Sequence, residues 1–231
     1  MKVILLSHTP EPERLVASAA RMSVSCNTAD GAYSEFTGDK IEKRVSSVLS
    51  DGDLSFLEHI SYSFSVEGLS ENALSDLALF GCKISRQRIK SLRTIDPADF
   101  VIPERIVEDE SLLESFKAAA SSAAQLYEKL LRNGISADDA SYALPMALPV
   151  NLLITMTAGS MLKFFSEKCC KKTPWELRSL AWKMLRAALK ESPAIFRTAG
   201  PECFSSGRCP WSDIKCFAKM KRVWSDDLTD K

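Results

Sequence analysis

Residues 57–68, LEHISYSFSVEG, alternate strictly: Tyr62, Phe64 and Val66 face one way, Ser61, Ser63 and Ser65 the other. A period of two with one apolar and one polar face describes a half-buried strand. Ser70 then stands before Glu71-Asn72-Ala73-Leu74, and the pattern shifts to a helix running to about Phe80, where Gly81 supplies the stop. The order is strand, tight connection, helix.

The same reading places further elements on either side. Residues 3–6 read as a short buried strand and residues 11–22 as a helix with Leu15, Val16, Ala19 and Ala20 on one face. Residues 27–38, rich in Gly, Ser, Thr, Asn and Asp, read as a loop. Asp39 is placed to cap a helix in which Ile41, Val45, Val48 and Leu49 recur at helical spacing, up to Asp51-Gly52-Asp53. A basic segment, residues 83–93, leads into an irregular crossing marked by Pro97 and Pro103.

Asp109-Glu110-Ser111 opens a long helix whose apolar positions Leu113, Phe116, Ala120, Ala123, Tyr127, Leu130 and Leu131 follow helical spacing, and Asn133-Gly134 closes it. Ser136 heads a short helix reaching Leu144, residues 152–156 form a strand, and residues 160–168 form a helix. Pro174 starts a last helix with Leu177, Ala181, Met184, Leu185 and Ala188 turned inward. Helices and strands mix without regular βαβ alternation, which predicts a single α+β domain with a mixed sheet flanked by long helices.

Composition narrows the classes. The chain has 231 residues, enough to bury a sizeable core, and its 30 basic residues balance 30 acidic ones. Net charge therefore gives no general attraction to nucleic acid or to an anionic membrane, so neither is expected as a partner. No apolar run approaches a bilayer span, and the first ten residues lack a signal-peptide core, so a soluble, cytoplasmic protein is expected. Seven cysteines, with Cys169 and Cys170 adjacent, suit free thiols in a reducing compartment better than a secreted disulfide framework. Cys203, Cys209 and Cys216 lack the close C-x2-C pair of a zinc ribbon, and two histidines cannot build a histidine metal site, so no metal is expected.

Several motifs occur in order along the chain. Glu58-His59 leads the strand, Glu67-Gly68-Leu69-Ser70 makes the turn, and Ala143-Leu144-Pro145, Thr155-Met156-Thr157-Ala158, Phe164-Phe165 and Trp175-Glu176-Leu177-Arg178 follow. Ala199-Gly200-Pro201-Glu202-Cys203 and Gly207-Arg208-Cys209-Pro210 complete the series. This series resembles the flavin-dependent thymidylate synthases, from about Ala20 to Pro210. The resemblance implies a domain over residues 1–210 with a tail over 211–231, and a reductive methylation of dUMP to dTMP. It implies FAD as cofactor, with NADPH and methylene-tetrahydrofolate as cosubstrates and no protein nucleophile. It also implies a homotetramer.

The resemblance assigns roles residue by residue. Lys168 falls where the family's LR pair carries an arginine that holds and polarises the pyrimidine. Ser23, in Ala20-Arg21-Met22-Ser23, and Ser55 fall at positions near the flavin. Ser85, Arg86, Gln87 and Arg88, in the basic segment with Lys83, Lys90 and Arg93, fall where nucleotide phosphate is held. His59 reads as structural, since no nucleophile or metal spacing accompanies it.

Three departures stand beside these matches. The family's RHR triplet falls on Leu79-Phe80-Gly81, its NAR triplet on Thr157-Ala158-Gly159, and the LR arginine on Lys168. Lysine keeps the charge without the planar fork of a guanidinium. Each lost charge-assisted hydrogen bond removes roughly 1.5–3 kcal/mol. A second reading is therefore a relative that keeps the fold, has lost the flavin site, and serves as a binding or partner subunit, in a complex with an active homologue.

Overall fold

A computed structural model describes residues 1–26, 28–86 and 96–218. The elements run β1 (Lys2–His8), α1 (Pro12–Met22), α2 (Ala29–Glu35), α3 (Asp39–Asp51), β2 (Ser61–Ser70), α4 (Glu71–Leu77), β3 (Lys83–Arg86), α5 (Glu104–Val107), α6 (Glu110–Arg132), α7 (Ala137–Ala140), β4 (Pro149–Thr157), α8 (Ala158–Lys168), α9 (Trp175–Glu191), α10 (Pro193–Phe196) and α11 (Glu202–Ser206). Short 3-10 turns at Leu54–His59 and Ala78–Phe80 precede β2 and β3. The sheet order is β1-β2-β4-β3, so the fold is α+β as the sequence predicts.

The alternation in β2 works as expected, with Tyr62, Phe64 and Val66 buried and the intervening serines half-buried. Ser70 caps α4 by accepting the Ala73 amide at 3.1 Å, and Gly81 ends the helical stretch in a left-handed conformation (φ 65°). Residues 27–38 are not all loop. Thr28 accepts the Gly31 amide at 3.4 Å and starts α2, because a capping hydroxyl outweighs the low helix preference of the residues after it. Asp39 is the first residue of α3 and not its cap, a place held by Gly38. The stretch after Ser136 splits into α7 and a 3-10 turn at Ser141–Ala143, and β4 is longer than the five residues predicted.

The chain divides into two compact units. The first comprises Met1–Lys2, Ser65–Leu79 and Ile84–Leu153, the second Val3–Phe64, Phe80–Lys83 and Ile154–Lys231. In the first, the Gly68 amide donates to Asn151 Oδ1 at 3.1 Å and the Glu71 amide to the Leu148 carbonyl at 3.0 Å. In the second, Ser63 and Thr155 hydroxyls pair at 2.8 Å and the Ala158 amide donates to the Ile60 carbonyl at 3.1 Å. One strand thus ascends as the other descends, an antiparallel register.

The first unit packs α6 through Ala120, Ala124 and Tyr127, which bury with Ala140, Phe100 and Leu148. The second is aromatic. Tyr62 meets Phe196 edge-on at 5.4 Å, Phe196 meets Phe165 at 6.0 Å, Phe165 meets Phe164 at 6.0 Å, and Phe164 meets Phe80 at 5.1 Å. Each such contact adds roughly 0.5–1.5 kcal/mol beyond area burial. The series ends at Phe80, where the chemistry of interest begins.

Candidate functional site

In the second unit, α8 carries the site. Thr157 caps it, its hydroxyl accepting the Ser160 amide at 3.2 Å. Ala158, Met161, Phe164 and Phe165 fall on the buried face at helical spacing, which turns the last-turn residue Lys168 toward Phe80. The Lys168 ammonium lies 5.0 Å from the centre of the Phe80 ring. A cation over an aromatic face at this distance gains about 0.5–2 kcal/mol, and the negative end of α8 favours the same charge. The lysine is half-buried and positioned by the ring below it.

At the first turn of α8 the backbone is bare. Gly81 is exposed, and a Cβ there would meet only Ser160 Oγ, at 4.0 Å. In the same first turn of α8, a Cβ on Gly159 would displace Glu58 Oε1. The Glu58 carboxyl thus rests against the first turn of α8, where the helix N-terminus favours negative charge. The space at Gly81 thus opens beside the first turn of α8, while the ammonium stands at its last turn. The forked donors that would grip a pyrophosphate are not among these residues.

The structure places the other sequence-predicted residues as follows. Ser23 ends α1, its hydroxyl donating to the Ala20 carbonyl at 2.9 Å, and Arg44 Nη2 donates to the same oxygen at 2.5 Å. Ser55 donates through Oγ (2.6 Å) and its amide (3.2 Å) to Asp53 Oδ1, and the Ser55 hydroxyl holds the Asp53 carboxyl below its ordinary range. Both serines thus have a local capping duty. The turn bearing Ser55 packs against α1 and α8. His59 is exposed at the end of that turn.

Ser85 and Arg86 lie in the first unit, exposed on β3. Arg86 Nη1 donates to both Glu71 oxygens, at 2.9 and 2.8 Å, so a carboxylate already holds this guanidinium. Gln87, Arg88, Lys90 and Arg93 lie outside the described residues.

What the structure brings together is Lys168 with Phe80, and Gly81 and Glu58 with the first turn of α8 at Ser160 and Gly159. Sequence reasoning had each of these four segments as a motif or a departure but had no means to pair them. Their convergence in one unit is the new fact. The Glu58–Gly159 contact left one readable signal, a glycine at the second position of a helix that Thr157 caps. Among the described residues, no group of three or more His, Cys, Asp or Glu could hold a metal, and no helix is long and apolar enough to cross a membrane.

Comparison with known proteins bears on the family and the fold. Residues 4–194 match the family model described as thymidylate synthase complementing protein. The flavin-dependent thymidylate synthase of Geobacter sulfurreducens is 33% identical over 98% of this chain and 99% of its own. That of Clostridium tetani is 30% identical over 97% of each. Among solved structures, flavin-dependent thymidylate synthase ThyX from Helicobacter pylori, complexed with FAD and dUMP, superposes with a TM-score of 0.67 at 23% identity, over 87% of this chain and all of that one. The UMP/dUMP methylase PolB from Streptomyces cacaoi, bound with 5-Br dUMP, gives 0.75 at 19% identity, over 89% of this chain and 94% of that one. At these identities the superpositions speak for the fold, and the full-length relatives speak for descent: the chain belongs to the flavin-dependent thymidylate synthase family.

Proposed function

We propose that the chain reductively methylates dUMP to dTMP, with weaker hold on its flavin than a member carrying the RHR triplet. The observation that carries this is that α8 sets Lys168 over the Phe80 ring at its last turn and has Gly81 and Glu58 beside its first turn, at Ser160 and Gly159. Reduced FAD, replenished by NADPH, supplies the hydride, and methylene-tetrahydrofolate the carbon.

The chain's own residues position and polarise. Lys168, steadied by the Phe80 ring, offers its ammonium to a uracil carbonyl and draws electron density from the ring carbon to be methylated. As a point charge it grips one oxygen where a guanidinium would grip two, so it orients less well. Ser23 and Ser55 face the flavin side in this reading, though their protons already serve Ala20 and Asp53. Arg86, with Ser85, Gln87 and Arg88, takes the nucleotide phosphate. It must exchange the Glu71 carboxylate to do so, a partner whose side chain is only 17% exposed while the arginine is 42% exposed. A homotetramer in the cytoplasm completes the reading.

The test is colour and turnover. Flavin absorbance of the purified protein, or its appearance on FAD titration, with dUMP-dependent NADPH oxidation and dTMP formation, is the expected result. Lys168→Met is expected to lower turnover at least 100-fold while lowering the unfolding midpoint by only about 2–4 °C per kcal/mol of lost cation–π contact, and Lys168→Arg to retain or raise activity. A protein that stays colourless at saturating FAD overturns the enzyme reading and leaves the partner-subunit alternative.

A further inference from the structure

The end of α8 has a second neighbour besides Phe80. Cys170, Cys203, Cys209 and Cys216 line one cavity of about 280 Å³, together with Lys168 and Lys171. These thiols come from four places: Cys170 from the turn after α8, Cys203 from α11, Cys209 from the link between α11 and Pro210, and Cys216 from the segment after Pro210. The adjacent Cys169 is a useful contrast, because it is wholly buried among core residues and does not line the cavity.

The backbone gathers the thiols deliberately. The Thr173 amide donates to the Cys170 carbonyl at 3.0 Å, turning the chain back just after α8. The Ser212 amide donates to the Cys209 carbonyl at 3.0 Å, with Ser212 in a left-handed conformation (φ 56°) that few L-residues adopt. The Asp213 carboxylate then accepts the Cys216 amide at 2.8 Å and starts the helical turn over residues 214–218. Without this reversal Cys216 would continue away from the cavity.

Access and position select a pair. Cys170, Cys209 and Cys216 are half-buried, whereas Cys203 is buried. Burial and the Asp213 carboxylate push the Cys216 thiol up, Lys171 opposes them, and the thiol that adds most to the rise is Cys170, ahead of Cys209. For Cys203, burial pushes the thiol up and the leading thiol is Cys209. Of the half-buried thiols that line the cavity, Cys170 stands on the turn after α8 and Cys216 on the segment after Pro210, so a bond between them ties those two segments together.

We propose that Cys170 and Cys216 form a reversible disulfide that clasps the segment after Pro210 to the end of α8 in response to a peroxide. The Cys170 thiolate attacks one peroxide oxygen: an S–O bond forms, the O–O bond breaks, and the leaving hydroxide takes a proton to become water. Cys216, mostly protonated, then attacks the sulfenic sulfur: an S–S bond forms, the S–O bond breaks, and its proton leaves with the oxygen as a second water. Two sulfurs give up two electrons and the peroxide accepts both. A small thiol reverses the step by exchange, so a reducing compartment keeps the clasp open until oxidant arrives.

The experiment uses the full chain, reduced and freed of small thiols, exposed to limiting hydrogen peroxide. Expected is a loss of two of the seven thiols in a colorimetric titration, regained with dithiothreitol, and a Cys170–Cys216 cross-linked peptide pair by fragmentation mass spectrometry. Cys216→Ser is expected to abolish the cross-link and leave Cys170 as an over-oxidised acid, while Cys26→Ser changes nothing. Mapping the unsubstituted chain decides the matter even if a variant fails to fold. A cross-link confined to Cys203–Cys209, sulfinic acids without any cross-link, or no thiol loss overturns the proposal. So does one equivalent of zinc co-purifying with the four thiols protected until chelation, which would make the cluster a metal site.

Discussion

The two units bury their apolar surface differently. The second is held by interlocking aromatics, Tyr62, Phe80, Phe164, Phe165 and Phe196, four of them at 0% exposure and Phe80 at 9%. The first uses alanines along α6, so that only Ala120, Ala124 and Tyr127 of its 23 residues are buried and Leu112 and Leu126 are exposed. Large rings in edge contact fix one another's positions, whereas a small-residue face lets a helix lie close without locking it. The unit that carries Lys168 is the one whose core can hold a point charge in place.

The sharpest way to break this contrast is a truncation in each core. Phe165→Ala should cost about 3–5 kcal/mol in denaturant unfolding, because the ring is wholly buried between Phe164 and Phe196. Phe116→Ala, on the partly buried flank of α6, should cost about 1–2 kcal/mol. Equal costs would show the cores to be alike.

A smaller effect comes from a polar contact inside the aromatic core. Tyr62 and Ser192 hydroxyls meet at 2.6 Å with both residues at 0% exposure, so Tyr62→Phe strands a buried hydroxyl and should cost about 1–3 kcal/mol. Burial pushes the Tyr62 hydroxyl up from 10.0 to about 12. The folded form thus holds its proton more tightly than the unfolded one. Stability is fully present below pH 10 and falls as pH rises from 10 to about 12, by roughly 2–3 kcal/mol, a loss absent from Tyr62→Phe. Identical alkaline unfolding of both proteins would remove this role.

The smallest stability effect belongs to the first unit's surface. Arg86→Ala breaks the pair with Glu71, whose arginine side chain is 42% exposed, and should cost about 0–1 kcal/mol. If Arg86 takes nucleotide phosphate, the same variant raises KM for dUMP several-fold. A KM unchanged within error would confine Arg86 to its ion pair.

Much of the fold was legible because it rests on periodicity. The alternation of Tyr62, Phe64 and Val66, the cap at Ser70, the stop at Gly81 and the span of α6 all stand as read. The miss at α2 had a local cause, a threonine cap inside a stretch whose composition says loop. The motif series was equally legible, and with it the positions where RHR, NAR and LR depart.

The sequence by itself determined the elements, the family and the identity of each altered position, since those depend on neighbours along the chain. Only the tertiary structure decided that Phe80 supports Lys168, that Glu58 rests against Gly159, and that four scattered cysteines share one cavity. Side chains 88 or 101 positions apart meet because β2, β4 and α8 pack in one particular register, and no local pattern encodes that distance (168 − 80 = 88; 159 − 58 = 101).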